Sequence, residues 1–458
     1  MGRPSKTRVL AVWMNGEFVG TWKLANRGEP EFAYDEAWFG SPAFRSLSLS
    51  LPATPANPVI RGQFVNDFFD NLLPESEPIR KRLQAKFQTP GRDAFSLLAA
   101  VGRDCAGAVQ LLEPGQLPED ITGIHAEPLD ELGVQTVLQK AVHTPGPLSP
   151  RDEDELRISI AGAQEKTALL WHNGGWCKPR GSTPTTHILK LPLGLVGARQ
   201  ADMSTSVENE WMCSRILHAY GIPAASCNIR TFGQIKCLVV ERFDRRLARS
   251  KTHWLRLPQE DFCQATATPP DRKYEADGGP GMVRICRVLA QSTRRNEDIR
   301  TFLKTQLVFW MLRATDGHAK NFSIFLEPGD RFRLTPMYDV LSAWPVIGNG
   351  QNLIPVQKVR MAMAWSGKNR HSVADQVRRR YIDATALKCG FAATAGELVD
   401  ELLQQTPQVI EQVRQELPAG FPPHLAATIL AGLHESAARL ANKKTSARSL
   451  ADLAPTNS

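Results

Sequence analysis

The segment Ala314-Thr315-Asp316-Gly317-His318-Ala319-Lys320-Asn321 constrains this 458-residue chain more than any other. It follows Phe302 to Ala314, a run apolar on nearly every side and therefore expected as a buried helix. An Asp and an Asn five positions apart, on a loop leaving such a helix, suit phosphoryl transfer. The carboxylate orients an attacking hydroxyl and takes its proton, and the amide oxygen holds magnesium. Lys320 is placed to neutralise charge on the transferred group. A hairpin is predicted next, with Phe322 to Phe325 and Phe332 to Leu334 flanking the turn Glu327-Pro328-Gly329-Asp330. Tyr338-Asp339 follows, and Asp339 is expected beside Asn321 as a second hard-oxygen ligand. Taken singly, these residues read as a loop Asp, a turn Asn and a capping Asp. Their order is what favours catalysis.

The nucleotide end is expected upstream. His187 to Leu191 is an alternating strand carrying Lys190, the arrangement in which a strand lysine meets the α- and β-phosphates and a helix glutamate holds it. A helix predicted over Val207 to Tyr220 offers Glu208 and Glu210, of which Glu210 is preferred. Thr205-x-x-Glu208 predicts a capping box at its start, and Gly221 its C-terminal stop. Between strands expected at Ile158 to Ile160 and Thr167 to Trp171 lies Ala161-Gly162-Ala163-Gln164-Glu165-Lys166. Its backbone N–H groups suit a phosphate cradle. With one glycine it lacks G-x-G-x-x-G, and an ordinary β-turn fits the bare pattern equally. Glu241-Arg242-Phe243 follows the strand Ile235 to Val240 where a hinge would run. There the backbone would meet adenine and Phe243 would give an apolar surface.

These elements suggest a mixed α/β front unit over 1–150, a nucleotide-binding unit over 151–245, a mostly helical unit over 246–442 and a frayed polar tail over 443–458. The front unit opens with a hairpin about Asn15-Gly16, since a type I′ turn needs positive φ at both central residues. Helices over Phe64 to Leu73 and Phe95 to Val101 and a strand over Val109 to Leu112 follow, and Thr144 to Pro147 marks the exit. Hydrophobic residues make up 42% and charged residues 22%, an ordinary globular balance. No apolar run approaches the ~18 residues of a membrane span. Val9 to Met14 is too short for a signal core, and Lys6 breaks a myristoylation pattern at Gly2. A cytoplasmic protein without membrane contact is expected. The eight cysteines lack C-x-x-C spacing, so buried apolar roles are expected rather than zinc or disulfides. A net charge of +8 permits an acidic partner without requiring one.

Together, Ser159 to Thr167, Thr186 to Pro192, Val240 to Arg245, Leu257-Pro258-Gln259-Glu260-Asp261 and Ala314 to Asn321 closely resemble the HipA family of kinase toxins, over essentially the whole chain. The resemblance implies an α+β, two-lobed protein-kinase-like fold with an extra N-terminal α/β subdomain and a mostly helical C-terminal lobe. It implies a serine/threonine protein kinase using ATP and Mg2+, with Asp316 as base and Asn321 and Asp339 as metal ligands. Lys190 would bind phosphate, the 161–166 loop would cover it, and Glu241, Arg242 and Phe243 would form the hinge. His318, Lys320 and Tyr338 would lie near the nucleotide. Ser159 matches the position that family members autophosphorylate. The implied partners are a helix-turn-helix, HipB-like antitoxin, operator DNA reached mainly through it, and glutamate–tRNA ligase as protein substrate. The chain departs from the family at Leu387-Lys388-Cys389-Gly390, where basic DNA-facing residues are the pattern. Arg378-Arg379-Arg380 is the nearby substitute, or simply a solvated helix face.

Two other readings remain at this stage. One is a DNA-associated co-repressor with secondary kinase activity, on the strength of the net charge and the basic stretch from Lys368 to Arg380. The other is a small-molecule kinase, which the D-x-x-x-x-N core alone does not exclude.

Overall fold

The computed structural model describes residues 7–142, 159–162, 164–391 and 395–441. The expected linker at Thr144 to Pro147, Ile158, Ala163 and the tail from Lys443 lie outside these residues.

The front unit is an antiparallel sheet, formed by β1 (Arg8–Met14), β2 (Glu17–Leu24), β3 (Glu31–Tyr34), β4 (Val59–Arg61) and β5 (Val109–Leu112) in the order β4-β3-β2-β1-β5. Asn15 and Gly16, at φ 48° and 86°, make the expected left-handed turn. Helices Gln63–Asp70 and Ala94–Val101 cover one face, and Trp22 stacks on Phe69 with centroids 4.1 Å apart. A further helix, Glu77–Phe87, is not among the sequence expectations. Pro78 in its first turn and Ile79, Leu83 and Phe87 at four-residue spacing nevertheless mark it.

The second sheet has six antiparallel strands. These are β6 (Ala126–Leu129), β7 (Lys166–His172), β8 (Gly175–Pro179), β9 (His187–Lys190), β12 (Cys227–Phe232) and β13 (Ile235–Glu241), while β10 (Gly194–Val196) and β11 (Ala201–Met203) pair separately as a small hairpin. The sheet order is β12-β13-β9-β7-β8-β6. Residues 126–142 therefore belong to this sheet and not to the front unit: β6 pairs with β8, and helix Glu131–Val142 packs on β7 and β12. Helix Ser206–Ala219 backs the other face. Its start lacks the expected capping box. Thr205 makes no side-chain cap, and Glu208 instead accepts from Lys236 at 2.5 Å. Its end is a Schellman turn through Gly221 at φ 74°, with Ile222 N–H donating to Leu217 O.

The C-terminal unit is built round helix Arg295–Leu312, whose second half is buried on all sides. It packs on Met282–Leu289, Pro423–Ala441 and the helix behind the second sheet. Its Lys304 is buried but donates to Tyr220 O and Glu401. The hairpin Ser323–Glu327/Arg331–Leu334 forms as expected. A second hairpin, Arg360–Ser366/Arg370–Val373, was not expected within a helical region. Met and Ala dominate its first strand, and burial against neighbouring helices overrides their helix preference. All eight cysteines are free and buried. Among the described residues, no helix is long and apolar enough to cross a membrane.

Candidate active site

The cleft lies between the six-stranded sheet and the C-terminal helices, and the segment Asp316–Asn321 forms its floor. Gly317 lets that segment leave the buried helix, since a Cβ there would meet the Phe309 ring at 2.4 Å. The chain then turns through a single 3-10 turn, Ala319–Asn321. This folds Asn321 back on its own start. Asn321 Nδ2 donates to Asp316 O at 3.1 Å and to Asp339 O at 3.2 Å. With both amide donors engaged, Oδ1 is the atom left for a ligand. Asp339 holds φ 60°, an unusual backbone state for a residue with a Cβ and one that concentrates at functional sites.

Lys190 reaches into this cleft from the end of β9. Its Nζ lies 2.6 Å from Glu210 Oε1 and 2.8 Å from Asp339 Oδ1. Burial opposes the Lys190 ammonium, but the two carboxylates overcome it and raise its pKa. Burial likewise opposes charge on Asp339, yet Lys190 and Lys166 hold its carboxyl well below the usual range. Glu210 is raised by burial, with Lys190 opposing. Asp316 sits at the cleft mouth and accepts a hydrogen bond from the Tyr274 hydroxyl. Desolvation by the cleft walls raises its carboxyl, and that hydroxyl and Lys273 oppose the rise. His318 is buried and lowered to about 3 by burial and by Lys273, so it is neutral near pH 7. Its Nδ1 is buried without a hydrogen-bond partner.

Ala161, Gly162, Gln164 and Lys166 line the opposite wall. Gly162 adopts φ 113°, and a Cβ there would meet Lys166 Nζ at 2.5 Å. Lys166 donates to Ala161 O at 2.6 Å, and Gln164 Nε2 donates to Leu191 O at 2.6 Å, tying the loop to the Lys190 strand. Glu165 faces outward, paired with Arg82 on the front unit. Ser159 at the loop's base is fully buried, and its Oγ donates to Leu72 O at 2.8 Å. At the back of the cleft, Phe243 packs against Tyr338 with centroids 5.6 Å apart. The Tyr338 hydroxyl turns away to bond Lys320 O and Ser323, so only its ring faces the cavity.

Two expected residues behave differently. Lys320 lines the cleft, but its Nζ donates to Asp261 Oδ2 at 2.7 Å and to Asn71 O and Oδ1 at 2.9 Å each. A buried ammonium with all three donors matched holds the Asp316–Asn321 segment to the front unit. It is not poised for a transferred phosphoryl group. Arg242 lines the cleft, its backbone N–H donating to Thr186 O at 2.9 Å, but its guanidinium turns away into a buried network. There Asp104 of the front unit accepts from Arg242, Arg245, Arg256 and Thr185, and Asp244 pairs with Arg242 and Arg245. Sequence reading also passed over Tyr274, Lys273 and Asn71. They lie in Pro- and Gly-rich or helix-end contexts that carry no periodic signal, and only the fold brings them to the cleft.

In the basic run, Arg378 donates to Asp375 O and Val377 O, and Arg379 pairs with Asp400 at 2.9 Å. Arg380 lies over the Tyr381 ring.

Comparison with known proteins agrees with this architecture. Residues 158–410 match the family model described as the HipA-like C-terminal domain, and residues 10–112 match the HipA N-terminal domain. Y4mE of Sinorhizobium fredii, provisionally named a kinase, is 37% identical over 344 residues, covering 73% of this chain and 77% of its own. The serine/threonine-protein kinase toxin HipA of Shewanella oneidensis is 28% identical over 305 residues, 64% of this chain and 66% of its own. Among solved structures, the toxin–antitoxin complex of HipA, HipB and operator DNA from Shewanella oneidensis contains a chain of the same fold. The TM-score is 0.74 at 22% identity, with 94% of this chain and 97% of that one covered. A two-lobed, kinase-like α+β cleft and a family model spanning more than half the residues place this chain in the HipA family of serine/threonine kinase toxins.

Proposed function

We propose that this chain transfers the γ-phosphate of ATP to a protein serine or threonine hydroxyl, with Asp316 as base. One observation carries the reading: Lys190, braced by Glu210, meets Asp339 in the cleft where Asn321 and Asp316 also converge. The donor set fits magnesium. Asp339 and the Asn321 amide oxygen are hard ligands, and magnesium usually takes one or two such groups and completes its shell with phosphate and water. The orphaned His318 Nδ1 is a further polar atom awaiting a partner in the same cleft.

In this reading Asn321 and Asp339 hold magnesium, which when bound offsets charge on the triphosphate. Lys190 binds the α- and β-phosphates. The N–H groups of the 161–166 loop cover them, and His318 lies alongside. Glu241 to Phe243 receive the adenine through backbone groups and the Phe243 ring. Asp316 orients the acceptor hydroxyl and takes its proton.

Ser159 is the proposed autophosphorylation site. A phosphate there adds nearly two negative charges at a fully buried position bonded to Leu72 O. The modified loop would have to leave its seat, uncovering the cleft and silencing the enzyme. By family likeness the proposed partners are a HipB-like helix-turn-helix antitoxin, operator DNA held mainly through it, and glutamate–tRNA ligase as substrate. Direct DNA contact through Arg378–Arg380 draws little support, because Arg378 and Arg379 already have acceptors within the chain.

The test is purified chain with γ-labelled ATP and cell lysate, followed by identification of labelled species and mass spectrometry of Ser159 peptides. Label on protein hydroxyls, lost in Asp316→Gln together with growth arrest on overexpression, is expected. Label confined to small molecules, or full transfer by Asp316→Gln, overturns the proposal.

A further inference from the structure

The loop joining the short helix Phe262–Ala265 to helix Met282–Leu289 carries Lys273-Tyr274-Glu275 to the cleft mouth. The Tyr274 hydroxyl donates a hydrogen bond to Asp316 Oδ1. Its ring stands edge-on to His318, with centroids 5.0 Å apart and planes at 88°.

The backbone on both flanks is fixed. Ala319 N–H donates to Lys273 O at 3.3 Å, which joins this loop to the Asp316–Asn321 segment. The Lys273 ammonium pairs with Glu75 of the front unit in a largely buried contact. On the other side, Glu275 accepts from Ala364 N at 2.6 Å and pairs with Arg370 at 3.3 Å. Asp277 and Gly279 N–H groups both return to Tyr274 O, at 3.1 and 2.9 Å. A segment tied to the front unit, the catalytic loop and the C-terminal hairpin does not swing away as a lid. The phenol stays beside Asp316.

A carboxylate has two oxygens, and a base needs one of them aimed at the acceptor. The Asp316 side chain is 58% exposed, and His318 Nε2 stands 3.7 Å from its Oδ1, beyond hydrogen-bond reach, so the Tyr274 hydroxyl is the direct hydrogen bond that orients the carboxylate. We propose that Tyr274 is a positioning residue for phosphate transfer: by holding Asp316 Oδ1 it fixes the direction in which Oδ2 meets the acceptor hydroxyl. The acceptor proton passes to Oδ2 as its oxygen bonds to phosphorus and the bond to ADP breaks. Tyr274 gains and loses nothing. This inference rests on Asp316 being the base.

The experiment measures phosphate transfer by the full chain as wild type, Tyr274→Phe, Asp316→Asn and the double variant. Tyr274→Phe should lower kcat about tenfold, a fraction of what a general base contributes. KM for ATP should stay within about twofold, because phenylalanine keeps the ring against His318 and only the hydroxyl on Asp316 is lost. Added to Asp316→Asn, the second change should cost nothing further, since a residue acting through Asp316 has nothing left to position. Replacement of Tyr274 by 3-fluorotyrosine keeps shape and donor and should keep the rate, which separates lost positioning from a damaged loop. An unchanged kcat in Tyr274→Phe overturns the proposal. So does an equal loss in both backgrounds, which marks a structural role, or a raised rate, which marks the phenol as a plug in the acceptor's place. Full activity in Asp316→Asn instead removes the base assignment itself, whatever Tyr274 does.

Discussion

Lys320 and Lys190 stand in one cleft with opposite assignments, and their partners explain why. Lys190 shares its charge with Glu210 and with Asp339, a residue that also faces the cavity. Lys320 is closed off by Asn71 and Asp261. Lys190→Met should therefore abolish phosphate transfer, whereas the chief effect of Lys320→Met should be on stability. The latter leaves Asp261 as a buried, unpaired carboxylate, and should cost about 3–5 kcal/mol in urea unfolding. Full transfer by Lys190→Met, or a stability loss under about 1 kcal/mol in Lys320→Met, would contradict this division. Glu260 supplies a pH test. It is buried, bonded to Ser48 Oγ and Leu49 N–H, and raised by burial to about 8. A carboxyl raised on folding binds more protons folded than unfolded, so stability falls as pH rises from its unfolded value near 4.5 to about 8. Glu260→Gln should flatten that part of the stability curve, as read from thermal midpoints across pH 5 to 8. A curve of unchanged slope would show that Glu260 titrates normally.

At the scale of elements, the front unit is fastened to the kinase cleft at two places. The end of helix Gln63–Asp70 offers Asn71 to Lys320 and Leu72 O to Ser159. Asp104 gathers three arginines from the hinge and the strand Trp254–Arg256. Asp104→Ala leaves three buried guanidinium groups with only Asp244 among them, and about 3–5 kcal/mol of destabilisation is expected in chemical unfolding. A loss under 1 kcal/mol would mean the network adds nothing net. This fastening also marks how far the sequence was legible. Local signals placed the Asn15-Gly16 turn, the Lys190 strand, the buried helix before Asp316 and the hairpin after Asn321, because turn chemistry and apolar periodicity are written over neighbouring residues. The side-chain direction of Arg242, the seat of Lys320 and the approach of Tyr274 depend on residues 42 to 249 positions away. No pattern in a short window records such pairings. Residues 126–142 were set with the wrong sheet for the same reason: strand pairing is non-local, and Ala126–Leu129 carries no clear alternation.

The whole molecule sets two lobes and a front unit round a cleft in which Lys190, Asp316, Asn321 and Asp339 meet, and the proposed transfer to a hydroxyl rests on that meeting. The arrangement assigns each end of the cleft its own failure. Changes at Lys190 or Asp339 should remove transfer by misplacing the triphosphate. Changes at Asp316 should spare nucleotide binding and remove the chemistry. The most direct measurement is therefore ATP binding and γ-phosphate incorporation, made side by side in magnesium on wild type, Asp339→Asn and Asp316→Asn. Incorporation by both variants is predicted to fall at least about a hundredfold below wild type, with binding kept in Asp316→Asn and weakened at least about tenfold in Asp339→Asn, since losing even a group that only orients a metal ligand typically costs that much. Undiminished incorporation by either variant would contradict the account.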